Sequence, residues 1–224
     1  KSFDHKVEST LQRHGMLEKG DQVVAAISGG PDSVVLLHIL HRLRVRWGIT
    51  LIAAHLNHAL RGQDSDEDAT FVAEYAALLG LPCVMETADV KRYCKAQGCS
   101  IETGARDLRY TFLERVARTY NANKIATGHT ADDQAETVLM RLVRGSGPDG
   151  LSGIRPVRDG WIIRPLLNVT RKEVTAYQAT HKLSARFDAT NTEQHMLRNK
   201  IRHHLLPLLQ DEYNPKIQGA LSRL

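Results

Sequence analysis

The chain has 224 residues, 42% of them hydrophobic and 25% charged, an ordinary globular composition that suits one large domain or one domain with a small appendage. No apolar run approaches the roughly 20 residues of a membrane span, and no basic stretch leads into an apolar one, so neither a spanning helix nor a secretory leader is expected. A formal charge of +5 and a pI near 9.2 suit a nucleic-acid partner without requiring one.

The segment from Asp4 to Leu17 reads as an N-capped amphipathic helix. Val23 to Ile27 is a short apolar run with the character of a buried strand, and Ser33 to Trp47 carries Val35, Leu36, Ile39, Leu40 and Leu43 at helical spacing. A second strand is expected over Thr50 to His55, a helix over Asp66 to Leu79, and a third strand over Cys83 to Glu86. Helices fill much of Val90 to Tyr120, followed by a strand from Lys124 to Thr127 and a helix from Asp132 to Val143. Beyond Gly145 a glycine-rich loop leads to a hairpin over Arg155 to Ile163 that turns at Asp159-Gly160. Helical segments over Thr170 to Lys182 and Glu193 to Leu209 complete the chain.

Strands alternating with helices predict an α/β fold, a parallel Rossmann-like sheet covered on both faces, with a small hairpin and helical extension after it. The expected division is a core over residues 1–153 and an extension over 154–224. Ligands in such sheets bind beyond the carboxyl ends of the strands. The two most unusual segments, after Ile27 and after Thr127, fall at such ends. Cys83, Cys94 and Cys99 match neither a zinc spacing nor a C-x-x-C pair, and are expected as reduced thiols. The chain begins at Lys1 rather than Met, so a longer parent protein is expected.

Ser28-Gly29-Gly30-Pro31-Asp32-Ser33 lies between a strand and a helix. Its glycines allow close backbone approach to a phosphate, the helix start offers amide donors, and the two serines add hydroxyls. Asp32 can hold Mg²⁺ against phosphates. No Gly-Lys-Ser/Thr follows, so this is not a Walker loop. A Gly-Gly turn with Ser33 or Asp32 as a plain helix cap is the bland alternative. Gly128-His129-Thr130-Ala131-Asp132-Asp133-Gln134-Ala135-Glu136 opens the helix after the fourth strand. Thr130 and Asp133 fit a capping box, but a cap uses one acid, not three acids and a histidine. Such a cluster can bind a cation or accept a proton.

The first loop resembles the SGGxDS signature of the N-type ATP pyrophosphatases, the PP-loop superfamily. Further motifs occur in order: H-x-N-H-x-L-R-G from His55, E-x-x-A-R-x-x-R-Y-x-F-L from Glu102, H-x-A-D-D-Q-x-E-T from His129, R-G-S-G-x-x-G-L from Arg144, and R-N-x-I-R-H-x-L-L-P from Arg198. That series, spanning Ser28 to Pro207, resembles the tRNA(Ile)-lysidine synthetase family. Gly128 and Thr130 depart from the bulkier or other polar residues common beside that histidine. The resemblance implies a two-step ligase: ATP adenylates C2 of a wobble cytidine and releases pyrophosphate, then the amine of L-lysine displaces AMP. It implies ATP contacts at Ser28, Gly29, Gly30, Pro31, Asp32, Ser33 and His55, with Mg²⁺ on Asp32. Asp32, Arg109, Asp132 and Asp133 are implied in catalysis, and His129, Asp132 and Glu136 around the lysine. Its partner would be tRNA(Ile) with a CAU anticodon, held through phosphates by Arg141, Arg144, Arg198, Lys200 and Arg202. A cytoplasmic enzyme with further C-terminal tRNA-binding domains is implied. The oligomeric state stays open, a homodimer included.

Within the superfamily a tRNA thiolase is the nearest competing reading, but it generally needs paired cysteines or an iron–sulfur cluster that this cysteine spacing does not supply. A small-molecule member such as NAD synthetase would not call for the basic terminal motif. A non-catalytic nucleotide-binding module must explain why Asp132, Asp133 and Glu136 accompany the loop.

Overall fold

The structure, a computed structural model, describes residues 2–186 and 197–223. Helix α1 (Phe3–Arg13), capped by the Ser2 side chain, leads to strand β1 (Gln22–Ala26). Helix α2 (Pro31–Trp47), strand β2 (Thr50–Asn57), helix α3 (Gln63–Leu78) and strand β3 (Cys83–Thr87) follow in alternation. Two helices, α4 (Val90–Gln97) and α5 (Ile101–Thr119), cross to β4 (Lys124–Ala126), from which α6 (Ala131–Val143) departs. A hairpin of β5 (Val157–Arg158) and β6 (Ile162–Ile163) precedes α7 (Arg171–Thr180). The remaining helices are α8 (Leu197–Lys200), α9 (Leu206–Glu212) and α10 (Ile217–Leu221).

Six strands form one sheet in the order β3-β2-β1-β4-β6-β5, parallel throughout except for the β5–β6 pair. Alternation along the strands assigns the two faces. Val24, Ile125 and Ile162 pack with Phe112, Leu113 and Val116 of α5, while Val23, Ala126 and Ile163 pack with α1, α2 and α7. Each such fully buried Ile, Leu or Phe contributes about 1.5–3 kcal/mol. The hairpin turns where expected, through the three residues Asp159 to Trp161, with positive φ of +55° at Asp159 and +77° at Gly160 and the Trp161 N–H donating to the Arg158 carbonyl at 3.2 Å. Its second strand lies parallel beside β4, so the hairpin extends the sheet itself across the division expected at residue 153.

Two local departures from the expected elements have physical causes. Helix α2 begins before Ser33, because Pro31 occupies the first turn, where a missing N–H is harmless, and Gly30 takes the N-cap without a side-chain bond. The helix expected over Glu193 to Leu209 starts outside the described residues, and its described part is interrupted. Between α8 and α9 a wide π-type turn, Ile201–Leu205, lets the Leu206 N–H reach the Ile201 carbonyl. Pro207 has no N–H to offer that ladder, and the wider turn absorbs the lost bond. Helix α6 buries Ala135, Val138 and Leu139 against Ile201, Leu206 and Leu221, forming a second, smaller core with the terminal helices.

The sheet order positions the site. From β1 the chain runs outward through β2 and β3 on one side, and β4 and β6 lie on the other. The loops after β1 and β4 therefore lie side by side at the point where the strand order reverses, where such sheets form a ligand-binding crevice. No helix among the described residues is long and apolar enough to cross a membrane.

Candidate active site

The Ser28–Ser33 loop sits at the carboxyl end of β1 and is tied by its own serines. The Ser28 and Ser33 hydroxyls are 3.1 Å apart, Ser33 Oγ donates to the Gly30 carbonyl at 2.9 Å, and the Ser28 N–H donates to Ser33 Oγ at 3.1 Å. Ser33 therefore closes the loop from inside the first helical turn and is not the cap. Gly29 has a φ of +90°, a conformation that disfavours any side chain, and its carbonyl accepts the Arg186 N–H at 2.9 Å. Gly128, on the loop after β4, lies against this backbone. A Cβ there would stand 3.2 Å from both C and O of Asp32 and 3.3 Å from the Ser33 nitrogen. The absence of a side chain at Gly128 lets the two loops approach a few tenths of an ångström closer than a Cβ would allow.

Asp32 thereby faces the start of α6. Burial raises its carboxyl to about 6, with the charges of Asp133 and Asp132 adding to the rise and Arg171 opposing it. The Arg171 Nε is 3.9 Å from Asp32 Oδ2, an ion pair too long to satisfy the carboxylate. A divalent cation suits this position. Mg²⁺ is commonly held by one or two carboxylates together with substrate phosphate oxygens, and a cation here would relieve the charge that raises Asp32.

The other acids have partners. Thr130 and Asp133 form the expected capping box, with Asp133 Oδ2 accepting from the Thr130 N–H at 2.8 Å. Asp133 Oδ1 accepts from Arg171 Nη2 at 2.7 Å and Arg198 Nη2 at 2.8 Å. Glu136 is fully buried and receives three guanidiniums: Arg171 Nη1 and Arg202 Nε on Oε1, and Arg198 Nε and Arg202 Nη2 on Oε2. Burial by itself would raise Glu136, but Arg202, Arg171 and Arg198 outweigh it and hold the carboxyl at about 2. Both oxygens of Glu136, expected beside the lysine, accept from arginines. Arg198, expected on RNA phosphates, donates from Nε to Glu136 and from Nη2 to Asp133, and Arg202, expected there too, donates from both to Glu136. Asp132 remains. Among the described residues only its Oδ2 is engaged, by the Arg171 backbone N–H at 2.8 Å, so Asp132 and Asp32 are the two carboxylates of the group not closed off by guanidiniums.

The other expected residues occupy varied positions. His129 Nδ1 is 2.9 Å from the Thr127 hydroxyl; burial pushes the imidazole down to about 3, Asp133 opposes this, and Arg164, Arg198 and Arg106 reinforce it. His129 is a neutral ring at pH 7. His55 Nδ1 lies 2.9 Å from the Ile27 carbonyl, and its buried Nε2 has no partner. It lines a pocket of about 310 Å³ with Asn57, Asp66, Ala69 and Thr87, at the ends of β2 and β3. Arg109 is exposed on α5, 3.3 Å from His58 Nε2. Arg141 Nη1 donates to the Gly150 carbonyl at 2.9 Å, whereas Arg144 and Lys200 are exposed.

Arg171 is the residue that reading the sequence missed. A signal was present: the Thr170–Glu173 capping box sets Arg171 at the first position of α7, where the helix dipole disfavours a cation. An arginine there must be held by acids from elsewhere.

A model of the PP-loop domain matches residues 2–209. The chain is 45% identical over 222 residues to a tRNA(Ile)-lysidine synthase of Clostridioides difficile, covering 99% of this chain and 48% of that protein. It is 46% identical over 221 residues to a tRNA(Ile)-lysidine synthase of Symbiobacterium thermophilum, covering 97% of this chain and 46% of that protein. The chain thus spans about half the length of the curated relatives it matches. Among solved structures, the U34-tRNA thiolase NcsA from Methanococcus maripaludis, with its 4Fe-4S cluster, superposes with a TM-score of 0.76 at 18% identity, covering 98% of this chain and 76% of that one, a likeness of fold. With a self-tied serine–glycine loop at the switch point of a parallel sheet, and a family model spanning nearly its whole length, the chain belongs to the PP-loop domain family.

Proposed function

We propose that this chain carries the ATP-dependent chemistry of a cytoplasmic tRNA(Ile)-lysidine synthase, joining L-lysine to C2 of the wobble cytidine in a CAU anticodon. The observation that carries this reading is that Asp32 and Asp132, on the loops after two neighbouring strands that are far apart in sequence, both converge on Arg171. The names of the curated relatives support the substrate, and the division into a residue 1–153 core and a later extension belongs to the same reading.

In the first step the C2 oxygen of cytidine attacks the α-phosphorus of ATP, and the bond to pyrophosphate breaks. The loop amides and the Ser28 and Ser33 hydroxyls orient the phosphates, and Asp32 would hold Mg²⁺, which when bound offsets phosphate charge. In the second step the lysine ε-nitrogen attacks C2 and AMP leaves with the oxygen. An ordinary lysine amine, with a pKa near 10.4, must first lose a proton. Asp132, one oxygen of which has no partner among the described residues, is the acceptor or ammonium anchor in this reading, and exposed Arg109 supplies positive charge toward the adenylated base. The thiolase alternative would need its cysteines at the crevice; Cys94 and Cys99 lie instead beside Gly104, at the corner of α4 and α5.

The test is AMP release from the chain with ATP, Mg²⁺ and a CAU-anticodon tRNA, with and without lysine. Lysine-dependent AMP release and a lysine adduct on the tRNA are expected. Release indifferent to lysine, or dependent on a sulfur donor, would sink the reading.

A further inference from the structure

Arg164 follows β6 and is only 3% exposed, yet no carboxylate among the described residues lies within ion-pair distance of it. Its Nη1 donates to the Arg155 carbonyl, the Tyr110 hydroxyl lies beside its guanidinium, and its Nε has no hydrogen-bond partner among the described residues. A buried cation without a counter-ion is expensive, and proteins rarely retain one unless something else supplies the anion. Nor is Arg164 alone. Tyr110 on α5 is flanked by two further guanidiniums, Arg158 from the hairpin at 4.2 Å from the ring centroid and Arg106 from the preceding helical turn at 5.0 Å. Arg106 has no carboxylate within ion-pair distance among the described residues either. Among the described residues Arg158 pairs only with Asp159, Nε to Oδ2 at 3.3 Å, a contact that is not a hydrogen bond, to a side chain 69% exposed to screening water. Arg164 directly follows Ile163, whose carbonyl accepts the Thr127 N–H at 3.0 Å, which sets this cationic group beside the loop that carries His129.

We infer that Arg106, Arg158 and Arg164, gathered round Tyr110 beside His129, form a phosphodiester-binding subsite for the single-stranded RNA that carries the target base. The inference rests on the proposed RNA substrate. Position argues for RNA over the triphosphate. The nucleotide phosphates are served by the Ser28–Ser33 loop, whose helix α2 packs on one sheet face, while Tyr110 and its arginines stand on α5 and the hairpin, on the other face. Chemistry argues the same way. Guanidinium planes interleaved with an aromatic ring offer charge to phosphates and flat surfaces to unstacked bases, as single-stranded RNA recognition requires. The group also supplies the unneutralised positive charge that Arg198 and Arg202, committed to Glu136, do not.

The test is fluorescence-anisotropy binding of a labelled CAU anticodon stem–loop RNA across a salt series. Wild type is compared with Arg106→Ala, Arg158→Ala and their double variant, with Arg118→Ala, an exposed arginine near the far end of α5, as the charge control. Each single variant is expected to weaken binding about tenfold and to flatten the log–log salt slope by roughly one. The control should change neither, and ATP affinity should hold in all of them. Arg164→Met, its fold checked by circular dichroism, should behave like the double variant; if it fails to fold, the two surface variants decide. Affinity and slope equal to those of the control would overturn the inference, and so would a loss of ATP binding that accompanied the loss of RNA binding. Salt-insensitive or absent RNA binding by the wild type would instead remove the RNA substrate itself, and this subsite with it.

Discussion

The backbone N–H of Arg171 donates to Oδ2 of Asp132 at 2.8 Å, while the Arg171 side chain spans Asp133 and Glu136 at 2.7 Å each. One residue at the start of α7 thus fixes the entire acidic face of α6. Glu136 is the keystone of that arrangement because it is fully buried beneath three guanidiniums. Removing one partner of a buried ion pair leaves uncompensated charge, at about 3–5 kcal/mol. Glu136→Ala is expected to lose stability in that range in urea unfolding, and Glu136→Gln less, since its carbonyl still accepts. A near-neutral Glu136→Ala would mean that the arginines find solvent instead.

Asp32 has a pKa of about 6 in the folded chain against an ordinary 3.8. The folded state therefore holds the extra proton between those values, so stability falls as pH rises from about 4 to about 6 and stays lower above it. Glu136 acts oppositely. Held at about 2 against 4.5, it adds stability that is present above about 4.5 and is lost as pH falls toward 2. Asp32→Asn is expected to stabilise the chain at pH 7.5 by roughly 1–2 kcal/mol after allowing for solvent screening, and by little at pH 3.5. The same variant should abolish pyrophosphate release. Unfolding curves at the two pH values, with a pyrophosphate assay, check both halves.

Gly128→Ala places a methyl group against the backbone of Asp32 and Ser33, atoms that cannot swing aside like the end of a flexible side chain. The loops after β1 and β4 must separate by a few tenths of an ångström. The chain should stay folded, losing about 1–2 kcal/mol, while ATP affinity falls about tenfold or more. Calorimetric titration with ATP reads the second effect, and unchanged affinity would show that the close approach does not matter to the nucleotide.

The basic terminal motif divides by function. Lys200 is exposed, whereas Arg198 donates to Glu136 and Asp133. Lys200→Ala should leave thermal stability within about 0.5 kcal/mol, and it should lower the salt slope of RNA binding by at most one contact. Arg198→Ala should instead lower the melting temperature, with a loss of about 1–3 kcal/mol. Thermal melts and salt series on the two variants separate these outcomes, and the opposite pairing would return Arg198 to the RNA surface.

Much of this was legible in the residues alone, because it is local. The strand at Val23–Ile27, the Thr130–Asp133 capping box and the Asp159-Gly160 turn each depend on neighbours within a few residues, and each forms as expected. Which strand lies beside β1 is not local. That β4 takes the place opposite β2 brings Gly128 to Asp32, and only the packing of two sheet faces selects that order. Charge is the least local of all. A cluster of arginines has the same spacing whether it meets water, RNA or a buried acid, so Arg198 and Arg202 gave no sign of Glu136, more than 60 residues away. Arg164, three residues from a glycine–tryptophan pair in an unremarkable hairpin, becomes a buried cation only because β6 is drawn in beside β4. Desolvation decides which charges are satisfied and which still need a partner, and desolvation is a property of the folded assembly.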